Sequence, residues 1–206
     1  MKPTEETADA VIALGKLAMQ FATIHRVTYL EDGVTYESDT DHTVMLSLVA
    51  CAVAQKHTPE LDLGKIAQFA IVHDLVEAYA GDTSTFGGLS EDAKTAKDAR
   101  EAAALERIKE EFGTSLPWIP ETIEAYESLQ SPEARYIKTL DKIMPKITRL
   151  VNQRTFTDVE EFDTHCAKQI TSIRATYGSD QEIACALYEL LVPRVSKMLR
   201  DAQTTA

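Results

Sequence analysis

Residues 63–82 read LGKIAQFAIVHDLVEAYAGD, a stretch whose pattern indicates the class of fold. Its apolar side chains recur at the three- and four-residue spacing of a helix, and a glycine follows the last of them. Three polar side chains interrupt the apolar pattern, namely His73, Asp74 and Glu77. Glu77 comes four residues after His73 and three after Asp74, so a helix would place all three on adjacent parts of one surface. We therefore predict a buried helix that carries a polar cluster.

A solvent-exposed face is the ordinary explanation for polar residues on a helix. Here the neighbouring Ile71, Val72 and Leu75 leave no wide polar stripe for such a face. Asp82 adds a further acid just beyond the end of the helix. Because an unpaired buried polar group costs a few kcal/mol, this concentration of one histidine and three acids indicates a functional site.

Two other helices carry residues of the same chemical types. Residues 42–56 are almost wholly apolar and predict a buried helix that begins at His42. Residues 131–151 begin with Ser-Pro-Glu, a typical helix start, and Asp141 lies beside their apolar stripe. Taken alone, a core histidine is as often satisfied by a backbone carbonyl, and Asp141 would be an exposed partner of a neighbouring lysine. The specific signal is the ordered set of His42, then His73-Asp74, then Asp141, each part on its own helix.

The rest of the chain also has helical spacing. Residues 27–37, VTYLEDGVTYE, are the exception, because β-branched and aromatic residues flank Asp32-Gly33, a strong signal for a two-residue hairpin turn. We predict an all-α chain of about seven or eight helices with this one small hairpin, and a single domain over residues 1–206. The further helices are expected over about 5–25, 90–112 and 121–129, with two more opening near Thr157 and near Ser179 or Asp180.

Composition excludes several classes of function. Acidic residues outnumber basic ones by 33 to 21, for a net charge of -12, so the surface repels nucleic-acid polymers and anionic membranes. The three cysteines form no C-x-x-C pair, which favours a reducing compartment. The sequence has no run of about 18 apolar residues. We predict a cytoplasmic protein, or one of the host's cytoplasm should the chain be viral, that binds neither membranes nor nucleic-acid polymers.

Two imidazoles and two carboxylates make a mixed nitrogen and oxygen site for a divalent metal. Mn, Co, Fe, Ni or Zn suits such a donor set, and Mg is a further candidate. A metal there lowers the pKa of water and polarises a phosphoryl group. Glu77, on the same helix as His73 but outside the ligand set, is placed to orient or deprotonate that water.

This arrangement resembles the HD-domain metal-dependent phosphohydrolases, and in particular bacterial 5′-deoxynucleotidases and phage dATP triphosphohydrolases. The resemblance covers about residues 10–150. It does not account for the helices over 157–200, which we expect to pack on that core. The matching elements are Arg26, Asp41-His42-Thr43, the segment HDLVEAYAGD at 73–82, and Thr139-Leu140-Asp141.

The resemblance implies a compact helical HD domain, a homo-oligomer and a role for each matching residue. His42, His73, Asp74 and Asp141 would bind the metal, and Glu77 would handle the nucleophilic water. Asp82 would contact the sugar or the water network, and Arg26 would hold a phosphate, although an exposed helix-end arginine is its ordinary explanation.

The chain departs from the family pattern at Val27, where the deoxynucleotidases place a tryptophan against the deoxyribose. Phe86 is a candidate for an aromatic wall of the substrate site. Lys94 and Lys97 are candidates for contacts with a triphosphate, although lysines on an acidic helix more often form surface pairs. We expect His165 to be a surface or helix-end residue.

Four functions follow as alternatives. The first is hydrolysis of a dNTP, most readily dATP, to a deoxynucleoside and triphosphate. The second is a 5′-deoxynucleotidase that releases phosphate from dNMPs, and the third a phosphodiesterase that acts on dinucleotides. The fourth is a helical module that binds a nucleotide or a protein without catalysis. The substrate of the first three is a small nucleotide.

Overall fold

Helices dominate the computed structural model, which describes residues 2–154 and 157–205. The all-α class with one two-stranded antiparallel hairpin is confirmed. In chain order the elements are α1 (Glu5–Phe21), β1 (His25–Tyr29), β2 (Tyr36–Ser38), α2 (Asp39–His57), α3 (Leu63–Val72), α4 (Glu77–Ala80), α5 (Glu91–Phe112), α6 (Trp118–Glu127), α7 (Pro132–Asp141), α8 (Met144–Asn152), α9 (Val159–Tyr177), a 3₁₀ turn (Gly178–Gln181) and α10 (Glu182–Thr205).

Two of the helices expected from sequence are each divided into two pieces. The helix expected over 63–80 is interrupted between α3 and α4, and the helix over 131–151 between α7 and α8. Counting each interrupted helix once gives eight in the described part of the chain, in agreement with the sequence. Both interruptions lie at predicted site residues, because His73 and Asp74 follow the end of α3 and Asp141 ends α7.

Side-chain caps fix where the helices begin. The Ser38 hydroxyl accepts from the amide of Asp41, and the Asp41 carboxylate accepts from the amide of Ser38, so a capping box opens α2 one turn before His42. Ser131 caps α7, as the sequence predicts. The helix expected to open at Thr157 instead has Asp158 as its cap, since that carboxylate accepts two backbone amides of α9.

The hairpin is present, but its turn differs from the prediction. β1 pairs with β2 in the register His25 with Ser38 and Tyr29 with Tyr36, so residues 30–35 connect the strands instead of a two-residue turn. The carboxylate of Asp32 accepts from the backbone amides of Val34 and Thr35 and stabilises this longer connection.

A continuous apolar cluster joins the motif-bearing helices to the C-terminal ones. Buried side chains of α2, α3 and α7 pack with buried side chains of α9 and α10, among them Phe162, Tyr188 and Leu199. The helices beyond the recognisable motif are therefore packed on the core. No helix among residues 2–154 and 157–205 has both the length and the apolar character needed to cross a membrane.

Candidate metal centre and substrate cavity

The four predicted ligand residues converge on one point. His42, His73, Asp74 and Asp141 each offer one nitrogen or oxygen atom, and these atoms all lie within 4.8 Å of one another. Both histidines are buried, whereas the two carboxylates are partly open to a cavity. Residues from three helical segments thus form one cluster, as the sequence predicts.

The end of α3 aims His73 into this cluster. Its Nδ1 donates a hydrogen bond of 2.8 Å to the carbonyl of Ala70, which in a continuous α-helix would accept from the amide of Asp74. The ring therefore satisfies a carbonyl that the end of the helix leaves free, and the chain continues through a tight turn to α4. In the neutral ring Nδ1 carries the proton, so Nε2 presents a lone pair to the site.

Nε2 of His73 lies 2.9 Å from Oδ2 of Asp74, yet it is buried and makes no hydrogen bond with any residue of the described ranges. A nitrogen lone pair and a carboxylate oxygen repel each other at this distance unless they share a cation. A proton shared by the two atoms, or a metal ion bound by both, would relieve this repulsion.

A buried carboxylate holds His42 from behind in a similar way. Nδ1 of His42 lies 3.2 Å from Oε1 of Glu37, whose other oxygen accepts from the hydroxyl of Thr28. Nε2 of the same ring lies 3.0 Å from Oδ1 of Asp141. Burial lowers the pKa of His42, but the hydrogen bonds to Asp141 and Glu37 outweigh it and raise the pKa to about 9. A carboxylate behind an imidazole is the arrangement that orients metal-binding histidines.

Both carboxylates of the cluster are ionised. Burial opposes the ionisation of Asp74 and Asp141, but the neighbouring His73 and His42 hold the pKa of each well below its usual range. Two charged carboxylates beside two imidazole nitrogens are a donor set typical of divalent transition metals. The residues of this cluster therefore fit such an ion.

A second group of acids adjoins the first. Oxygen atoms of Asp39, Asp74 and Glu77 lie within 4.8 Å of one another. Nη1 of Arg26 donates to Asp39 at 3.2 Å and to Asp74 at 2.9 Å, so a guanidinium supplies the positive charge here. Burial, together with the charges of Asp74 and Asp39, raises the pKa of Glu77 to about 11. Sequence reasoning missed Asp39 and Glu37, although two acids just before a core histidine were a usable signal.

A cavity of about 200 Å³ opens from the cluster. Most of the candidates named from sequence line it, including Val27, which is half-exposed in β1. Lys94 is exposed at the start of α5 and is not brought to the site. Lys97 lines the cavity and pairs with Glu101 on the same helix. The candidates that reach the cavity are Arg26, Val27, Asp74, Glu77, Asp82, Phe86, Lys97 and Asp141.

Further residues of the cavity wall were not expected from the sequence. Lys138, Lys142, Lys146 and Arg149 bring positive charge to it from α7, α8 and the turn between them. His165, expected to be a surface residue, is half-buried and lines the cavity with Phe162 and Gln169 of α9. Their spacing of three and four residues along the chain was the only signal in the sequence.

Comparisons with known proteins agree with this fold. The family model described as HD domain matches residues 18–181. A 5′-deoxynucleotidase of Saccharomyces cerevisiae is 25% identical over 156 residues, which are 74% of this chain and 64% of that protein. A 5′-deoxynucleotidase of Xenopus laevis is 27% identical over 174 residues, which are 82% of this chain and 80% of that protein. The chain thus spans less than two thirds of the length of the yeast relative.

A solved structure shows the same fold. It is described as a predicted metal-dependent phosphohydrolase from Magnetospirillum magnetotacticum and superposes with a TM-score of 0.71 at 22% identity. The superposition covers 94% of this chain and 97% of that one.

Proposed function

The chain belongs to the HD domain family, and from that premise we propose that it is a metal-dependent 5′-deoxynucleotidase that releases phosphate from deoxynucleoside monophosphates. One observation carries the proposal. The Nε2 atoms of His42 and His73 and the carboxylates of Asp74 and Asp141 meet in one cluster at the end of a cavity. The relatives named 5′-deoxynucleotidases support this reaction over the hydrolysis of dNTPs, which the sequence alone favoured.

The metal would be held by His42, His73, Asp74 and Asp141. A divalent ion there supplies acidity to a bound water and polarises a phosphoryl oxygen. The donor set suits Mn, Co, Fe, Ni or Zn, with Mg as a further candidate.

Glu77 would accept the proton of the attacking water. Its carboxylate is buried next to Asp74, and burial and the charge of Asp74 both raise the pKa of Glu77. A divalent ion bound by Asp74 would balance that charge and so lower the pKa of Glu77 towards its ordinary value. Arg26 lies beside the same carboxylates and lines the cavity, where its guanidinium stabilises the charge that develops on the phosphoryl oxygens. Asp82, half-buried after Gly81, lines the same cavity and is proposed to contact the sugar or its water.

A second candidate is hydrolysis of a dNTP to triphosphate. The positive charge around the cavity favours it, because a chain of net charge -12 brings six cationic side chains to one pocket. They are Arg26, Lys97, Lys138, Lys142, Lys146 and Arg149.

Product analysis separates these candidates. The purified chain is freed of metal, reloaded with Mn, Co or Mg, and incubated with dNMPs, dNTPs, the corresponding ribonucleotides and a linear dinucleotide. Phosphate released from dNMPs, with dNTPs intact, supports the proposal. Triphosphate released from dATP replaces it with the second candidate, and cleavage of the dinucleotide alone indicates a phosphodiesterase. If no substrate is cleaved with any metal, the chain is a binding module and the proposal is wrong.

We further propose that the chain acts as a homo-oligomer, which the resemblance implies, and in the cytoplasm, which its cysteine usage favours. Sedimentation of the purified chain tests the first of these statements and cell fractionation the second.

A further inference from the structure

One face of α9 forms a wall of the cavity that the metal cluster does not use. Phe162, His165 and Gln169 are spaced three and four residues apart, which places them on one side of the helix. All three line the cavity that also reaches Asp74 and Asp141. The helix therefore brings two rings and an amide to the space next to the phosphate site.

The loop after α4 adds another aromatic ring to this wall. The amide of Gly88 donates to the carbonyl of Thr85, so Phe86 and Gly87 are the central residues of a turn. Gly87 has a φ of +83°, which a glycine adopts at this position without strain. The turn holds the ring of Phe86 4.8 Å from the ring of His165, centroid to centroid, with both rings lining the cavity.

The surroundings of His165 favour the neutral form of its ring. Burial and the nearby charge of Lys146 lower the pKa of His165 below its ordinary value. A neutral imidazole next to a phenyl ring offers planar, largely apolar faces. Flat aromatic bases stack on such faces whatever their identity, because every base has a π-face.

The amide of Gln169 has a fixed orientation. Its Oε1 accepts a hydrogen bond of 3.2 Å from the ammonium of Lys146, which only donates, and another from the hydroxyl of Tyr188. Both hydrogen bonds to Oε1 of Gln169 are thus made within the protein. No acceptor within residues 2–154 or 157–205 takes a hydrogen bond from Nε2 of Gln169, so the amide has two donors to offer to a ligand in the cavity.

We propose that Phe86, His165 and Gln169 form a nucleobase subsite, in which the two rings stack against the base and the Gln169 amide donates to an acceptor on its edge. The proposal rests on the proposed function, because it extends the same cavity from the phosphate to the base. Every nucleobase has a π-face and an edge acceptor, so this subsite distinguishes a nucleotide from a base-free sugar phosphate and discriminates little among the bases.

A kinetic comparison with a base-free substrate tests the subsite. The rate of phosphate release is measured for dAMP, dGMP and 2-deoxyribose 5-phosphate, with the wild type and with Phe86→Ala, His165→Ala and Gln169→Glu. The glutamate variant keeps an oxygen for Lys146 and Tyr188 but loses the donor. We expect KM for both nucleotides to rise about tenfold in each variant, while kcat and the rate on 2-deoxyribose 5-phosphate stay within twofold. His57→Ala, which removes an exposed histidine at the end of α2, is the matched control and should change nothing.

A binding measurement makes the test independent of catalysis. Calorimetry with 2′-deoxyadenosine and the metal-free protein should give an affinity that Phe86→Ala and His165→Ala each reduce about tenfold, while 2-deoxyribose binds to none of the proteins. Unchanged affinity in both variants, or equal KM of the wild type for dAMP and 2-deoxyribose 5-phosphate, would overturn the subsite while leaving the 5′-deoxynucleotidase reaction intact. Binding of 2′-deoxyadenosine that depends on both rings, in a protein that releases no phosphate, would support the subsite and refute the proposed reaction.

Discussion

The rings of His42 and His73 lie 5.3 Å apart, centroid to centroid, and each is held from behind by a different acceptor. A carboxylate of Glu37 contacts Nδ1 of His42, and the carbonyl of Ala70 accepts from Nδ1 of His73. Both Nε2 atoms consequently face the same pair of carboxylates. The relationship orients both Nε2 atoms before any ion arrives, which is a feature of metal sites in which outer partners fix the orientation of the ligand rings.

The first prediction concerns the metal. His73→Ala removes one of the four proposed ligands and leaves the other three in place. We expect the purified variant to lose bound divalent metal, and phosphate release to fall by at least about a hundredfold, because a catalytic ion needs its full donor set. Metal content by elemental analysis and initial rates with dNMPs are the two measurements. His57→Ala should keep both properties, since its side chain is exposed. Full metal content in His73→Ala would show that the cluster is not the metal site.

The second prediction concerns the carboxylate behind His42. Glu37→Gln keeps the shape of the side chain but removes the charge that faces Nδ1 of His42. Loss of such a partner lowers metal affinity about 10–100-fold, so we expect the metal dissociation constant to rise by this factor, with activity restored by excess metal. A metal titration monitored by activity checks this. Activity that excess metal does not restore would mean that Glu37 acts on the fold instead.

The sequence could predict which residues form the cluster because most of them interrupt an apolar pattern. His42 and the pair His73-Asp74 lie in strongly apolar segments, where an unpaired polar group is costly, so their presence already indicated a shared partner. Periodicity could not predict the break after Val72. That break depends on the ring of His73 satisfying the carbonyl of Ala70, a contact that appears only when the side chain is placed.

The missed residues belong to the site through contacts with other elements of the fold. Asp39 and Glu37 belong to the site because the hairpin folds back so that Arg26 and Thr28 of β1 meet them. His165 reaches the cavity only through the packing of α9 on the core. A hydrophobic pattern identifies which side of a helix is buried, but not which other element covers it.

The third prediction concerns the guanidinium beside the carboxylates. Arg26 uses one nitrogen to bind both Asp39 and Asp74, and it lines the cavity. Arg26→Lys keeps one charge but loses the planar group with several donors, so a phosphate and the carboxylates can no longer be held together. We expect kcat/KM for dNMPs to fall about 10–100-fold, as for the loss of one or two charged hydrogen bonds. Steady-state kinetics measure the change. Arg107→Lys, at an exposed position of α5, is the control, and an equal loss in both variants would contradict a specific role for Arg26.

The fourth prediction concerns stability at alkaline pH. Burial lowers the pKa of Lys146 from its ordinary 10.5 to about 8. Between these values the unfolded chain holds a proton that the folded protein has released, so the free energy of unfolding rises with pH over this window. One such group contributes about 2 kcal/mol between pH 8 and pH 10.

Denaturant unfolding at pH 8 and pH 10 tests this stability change. The variant Lys146→Met keeps an unbranched side chain but has no titratable group. We expect the wild type to gain about 2 kcal/mol more than this variant between the two pH values. Equal changes in both proteins would show that Lys146 stays charged in the folded state.

The last prediction concerns selection for the sugar. Val27 lines the cavity from β1 and is 53% exposed, so a short side chain stands where the related deoxynucleotidases are expected to place a tryptophan against the deoxyribose. Space is left beside the sugar, and we expect the wild type to prefer dAMP over AMP by less than about tenfold in kcat/KM, because an open apolar wall rejects an added hydroxyl poorly.

Val27→Trp fills that space and should raise the preference at least about tenfold, mainly by slowing AMP hydrolysis. The matched control is Val34→Trp, at a more exposed position of the same hairpin outside the cavity lining. Two observations would each contradict this account of the sugar site, namely a large preference in the wild type or the same gain in both tryptophan variants.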